Sequence, residues 1–84
     1  MALRFAADVS TARTDHGTVL LDERGGDYWE LNPTATLVVD VLLRGGDEVA
    51  ASAALVAEFD IDAEAARRDV DVLVRQLRAS GLAE

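Results

Sequence analysis

The chain has 84 residues, half of them hydrophobic and 29% charged, with a formal net charge of −8. Those values fit a single small folded domain, residues 1–84, burying ~60–65% of its unfolded surface, and they exclude a disordered polar chain. Sixteen acidic residues against eight basic ones also exclude a sequence-independent grip on nucleic-acid phosphates or an anionic membrane, since both need clustered cations.

The N-terminal stretch MALRFAADVS has no long apolar run behind a basic start, so no signal peptide is expected. No segment approaches the ~18 apolar residues of a membrane span, and the expected location is the cytoplasm. DVSTARTDHG, Asp8 to Gly17, reads as a strand closing in a turn at Asp-His-Gly. TVLLD, Thr18 to Asp22, is a short apolar strand. ERGG, Glu23 to Gly26, is a hairpin loop whose glycines tolerate positive φ. DYWEL, Asp27 to Leu31, is the third strand of an antiparallel meander.

The rest of the chain reads as helix. Asn32 is a good N-cap and Pro33 occupies the first helical position, where its missing N–H costs nothing. Leu37, Val38, Val41 and Leu42 form an apolar stripe that stops at Gly45–Gly46. Asp47 caps a second helix with Val49, Ala53, Leu55 and Val56 expected inward, ending near Phe59. Asp62 caps the third, where Ala66, Val70, Leu73, Val74 and Leu77 recur at helical spacing. Gly81 falls just beyond its C-cap, which lets Leu82 pack back on Leu77 in a Schellman ending.

Enzyme chemistry finds no foothold. The chain has no cysteine, which excludes disulfides, a thiolate nucleophile and Cys-ligated metal. His16, the only histidine, lies in a turn without partners at ligand or triad spacing. Asp60 and Asp62 flank a helix start, where the dipole favours carboxylates. The glycine pairs lack the lysine and hydroxyl of a phosphate-binding loop. No catalytic residue, metal or cofactor is expected.

All eight basic residues are arginines, and Arg67, Arg68, Arg75 and Arg78 share the face of the third helix opposite Leu73. A basic last helix would suit a winged-helix DNA-binding regulator. A solvated face is the plainer reading, because Asp71 interrupts it and the whole molecule is acidic; a peptide-contacting role for part of this helix is the third.

The third strand raises a different possibility. Side chains alternate along a strand, so Trp29 and Leu31 share one face with Asp27, and Tyr28 shares the other with Glu30. Trp29 and Leu31 can be core with Tyr28 half exposed. Yet the strand pairs on one side only, and its other edge carries no proline, no glycine and one charge, Glu30, where natural edges are usually blunted. Such an edge accepts an extended peptide as an added strand, with side-chain pockets supplying specificity.

GGDYWELNPTA, the break LLRGGD and the final helix RRDVDVLVRQLRASGL together resemble the PqqD-like family of RiPP recognition elements. The similarity is greatest to the free-standing members that serve lasso-peptide biosynthesis. It runs from about Val9 to Leu82 through Tyr28, Trp29, Leu31, Asn32 and Thr34, then Asp69, Val70, Leu73, Gly81 and Leu82. It implies an α+β winged helix-turn-helix fold, three antiparallel strands followed by three helices, without DNA binding as its role. It implies a non-catalytic protein that binds the leader of a ribosomally made precursor as a strand beside strand three and helix three. That protein would hand the leader to a cysteine-protease-like leader peptidase and an ATP-dependent cyclase. By the resemblance, Asp27, Tyr28, Trp29, Glu30 and Leu31 supply the pairing strand. Val70, Leu73, Val74 and Leu77 are candidates for the groove floor, and Arg67 or Asp69 for polar contacts. The flank of the third helix that meets the peptide is left open by periodicity. A structural subunit of a larger complex is the remaining alternative.

Overall fold

A computed structural model describes residues 3–84. Strands β1 (Val9–Thr14), β2 (Gly17–Asp22) and β3 (Tyr28–Leu31) precede helices α1 (Pro33–Leu43), α2 (Glu48–Phe59) and α3 (Ala63–Ala79). The sheet is antiparallel in the order β1-β2-β3, with Leu20 opposite both Thr11 and Trp29. The expected α+β meander and three-helix unit are what the chain forms.

Local chemistry sets the helix boundaries. The side chains of Asn32, Asp47 and Asp62 accept from Ala35, Ala50 and Ala65 N–H at 2.8, 2.8 and 3.3 Å. Each satisfies a first-turn donor that has no partner inside the helix. At the far end of α3, Gly81 adopts φ +81°. The N–H groups of Leu82 and Gly81 donate to the Leu77 and Arg78 carbonyls, each at 3.1 Å. This is the Schellman geometry expected from the sequence, and it drives Leu82 into the core.

The core is one cluster in which Leu20 and Leu31 of the sheet meet Val38, Val39 and Leu42 of α1, Leu55 of α2, and Val70, Val74 and Leu77 of α3. The phase of α2 differs from expectation. Ala51, Ser52 and Leu55 are buried, whereas Val49 is 73% exposed and Ala53 also faces solvent. Five alanines make this helix apolar around most of its circumference, so its pattern carries little directional information. Packing between α1 and α3 chooses the buried side.

One tight contact joins the sheet to α1 and another locks β2 against β3 just before that helix. The buried Thr18 and Thr36 hydroxyls hydrogen-bond at 3.0 Å. Gly17 has φ +145°, and a Cβ there would run into the Leu31 carbonyl. The N-terminal arm pairs with the C-terminal tail: Ala6 N–H donates to the Leu82 carbonyl at 2.9 Å and Glu84 N–H to that of Arg4 at 2.8 Å. The described part of the arm, from Leu3 onward, thus makes no backbone hydrogen bond to β3.

Candidate peptide-binding groove

The free side of β3 is defined by its hydrogen-bond phase. Asp22 N–H donates to the Asp27 carbonyl at 2.9 Å, so the Asp27 backbone faces β2. In an antiparallel ladder, successive residues turn their N–H and C=O to opposite sides. Trp29 and Leu31, opposite Leu20 and Thr18, thus bond toward β2, whereas Tyr28 and Glu30 turn their backbone groups outward. The β1 side agrees, because Glu23 N–H donates to the Asp8 carbonyl at 2.9 Å, which directs Leu21 to β1 and Leu20 to β3. Among the described residues nothing pairs with the outward groups of Tyr28 and Glu30. They are two residues apart, about 6.6–6.8 Å, the repeat at which an added antiparallel strand exchanges bonds.

Beyond this edge lies a trough rather than a wall. No Cα of β3 comes within 8 Å of a Cα of α3. A cavity of about 250 Å³ separates them, lined by Trp29, Leu31, Ala35, Leu73, Leu77 and Ser80 among others. A second cavity of about 330 Å³ shares Asn32, Ala35, Leu73 and Gln76 with it. That cavity runs past Asp69 and Val72 down to the core residues Val38 and Leu55. A strand spaced ~4.8 Å from β3 would lie in this trough.

Trp29 sits on the core face of the sheet yet remains 46% exposed, because its ring borders the trough instead of filling the core. Tyr28, 65% exposed, projects to the opposite face beside Val19 and Leu21. Its backbone belongs to the groove edge and its ring does not. Leu31 is buried, and Asp27 is exposed just ahead of the strand.

The structure divides the helical candidates. Leu73 and Leu77 line the trough, and Asp69 stands at its upper end. Val70 and Val74 are 1% and 4% exposed and line neither cavity; they are core residues under the groove rather than its floor. Arg67 is ~160° from Asp69 around the axis at ~100° per residue, on the flank turned away from the open edge of β3. The groove flank is Asp69, Leu73, Gln76 and Ser80, spaced four, three and four residues apart. Sequence reasoning missed Gln76 and Ser80, together with Asn32 and Ala35. Their spacing was a usable signal, but a stripe that is mostly polar does not register as a binding face.

The arginine flank is partly neutralised. Arg75 pairs with Asp71 at 3.0 Å, and Arg78 donates to the Glu84 carbonyl at 3.2 Å. His16 lies in the β1–β2 turn, its own N–H donating to Thr14 Oγ1 at 3.2 Å. Among the described residues no group of three His, Asp or Glu side chains is placed to hold a metal, and no helix is long and apolar enough to cross a membrane.

The model of the family described as coenzyme PQQ synthesis protein D (PqqD) matches residues 17–83, from the start of β2 to the tail after α3. The chain belongs to the PqqD family. Two solved structures share its fold over nearly their full lengths. A lasso peptide synthetase B1 complexed with the leader peptide is 39% identical, with all of this PqqD-family chain and 99% of that one covered and a TM-score of 0.93. TbiB1 in complex with the TbiA(beta) leader peptide is 26% identical, with 96% and 94% covered and a TM-score of 0.86. No curated protein sequence matches the chain.

Proposed function

We propose that this protein binds the leader of a ribosomally synthesised precursor, of the lasso-peptide class, as an added strand on the outward edge of β3. The observation that carries this reading is the pair of unpartnered backbone sites at Tyr28 and Glu30, facing α3 across an apolar trough. Four backbone hydrogen bonds are on offer there. A guest residue opposite Trp29 directs its side chain into the trough, and its two neighbours direct theirs to the Tyr28 face. The two similar proteins were solved in complex with leader peptides, which supports leader binding by this chain. The chain acts without catalysis of its own. It presents the leader to a cysteine-protease-like peptidase and an ATP-dependent cyclase.

Fluorescence polarisation with a labelled synthetic leader, taken from a precursor encoded beside this chain, tests the proposal. Micromolar or tighter binding that persists in ~0.5 M salt is expected, because apolar contacts are screened little. Glu30→Pro removes one outward N–H while leaving the β2 ladder intact, as proline is tolerated where an edge N–H faces outward. It should fold normally and bind about tenfold more weakly or worse. Unchanged binding by Glu30→Pro, or no binding by the parent chain, refutes the added-strand reading. Co-purification of the loaded chain with the peptidase tests the presenting role.

A further inference from the structure

Resting on that reading, we infer that the groove selects a guest carrying a lysine or arginine, whose cation is received by Asp69. The arginines of this chain are segregated from the trough: none lines either of its cavities, where the only charged residues are Glu30 and Asp69. Elsewhere arginines pair with Asp40, Asp8, Asp22 and Asp71, while most of the sixteen acidic residues have no ion-pair partner among the described residues. Asp69 has no such partner among the described residues. Glu30 shares the sheet face of Tyr28, so its carboxylate projects away from the trough and its contribution there is its backbone. Asp69 is therefore the charge that a guest side chain meets.

The shape beside Asp69 suits the same occupant. The larger cavity has an apolar floor of Val38, Leu55 and Leu73 with Asp69 near solvent at its rim. An apolar stem with a cationic tip matches that arrangement, because lysine and arginine bury their methylenes while keeping the charge wet. Position follows from the layout. The smaller cavity faces Trp29 and the Leu77–Ser80 end of α3, and the larger faces Asn32 to Ala35 and the Asp69 end. The basic residue thus lies on the side of the guest that extends past Leu31, beyond the residue that faces Trp29.

Panning a phage library of random 12-residue peptides against the chain and against Asp69→Arg tests this. Groove binders are those that lose binding to Glu30→Pro. Those selected by the parent should be enriched in Lys or Arg at one fixed offset from the apolar residue facing Trp29. Replacing that residue by Gln should weaken binding about two- to fivefold, the scale of an exposed ion pair, and Asp69→Asn should abolish the difference. The Asp69→Arg library should lose the basic enrichment. Groove binders that show no basic preference, or the same preference on Asp69→Arg, overturn this inference and leave leader binding standing. The absence of any Glu30-dependent binder overturns both.

Discussion

The two free edges of the sheet differ in what lies beneath them. Under β1, Arg13 reaches across to α1 and holds Asp40 through two 2.8 Å hydrogen bonds from one guanidinium nitrogen, placing a charge pair in the wall of a cleft of about 240 Å³. Under β3, Trp29 reaches toward Leu73 and Leu77 across an open cavity of about 250 Å³. Both strands have outward backbone groups without a partner among the described residues. The apolar trough beside β3, however, lies between its free edge and α3, whereas the cleft beside β1 carries the Arg13–Asp40 pair and the apolar cavity at Thr11 lies on the outer sheet face. An unpaired edge alone is a liability. An unpaired edge with an adjoining trough offers what an added strand needs, because backbone bonds carry little sequence information and pockets supply it.

The largest effect on this contrast is expected from Gly17→Ala. Its Cβ would collide with the Leu31 carbonyl at φ +145°, and the β2–β3 register should suffer a loss of about 3 kcal/mol in urea unfolding, with leader binding lost alongside. Next comes Trp29→Ala. Its half-exposed ring should cost little stability but about 2 kcal/mol in leader affinity, read by polarisation, as expected of an aromatic anchor. Thr36→Val leaves the buried Thr18 hydroxyl without its partner and should cost about 1–2 kcal/mol of stability. Arg13→Ala is the control at the opposite edge. It removes a pair whose arginine is 62% exposed, should cost less than about 1 kcal/mol, and should leave leader affinity unchanged. If Arg13→Ala weakens binding as much as Trp29→Ala, the two edges are not functionally distinct.

Trp29 shows how far sequence reasoning reached into the site. Its placement on the core face follows from strand alternation, but not its 46% exposure, because the neighbour that would cover it is withheld by the distance to α3. Arg67 and Asp69 were indistinguishable as candidates from periodicity alone. They lie on opposite flanks of the buried stripe, and only the position of β3 tells which flank faces the groove. Val70 and Val74 belonged to the correct stripe and proved to be its buried centre.

What the sequence by itself determined were features closed over a few residues. The caps at Asn32, Asp47 and Asp62, the Gly81–Leu82 ending and the strand alternation each depend on hydrogen bonds or sterics within one turn or one pleat. What only the tertiary structure decided were the buried side of α2, the groove flank of α3 and the trough itself. Each of these is set by the meeting of elements distant in the chain, and side chains with similar local preferences can occupy either side until that packing separates them.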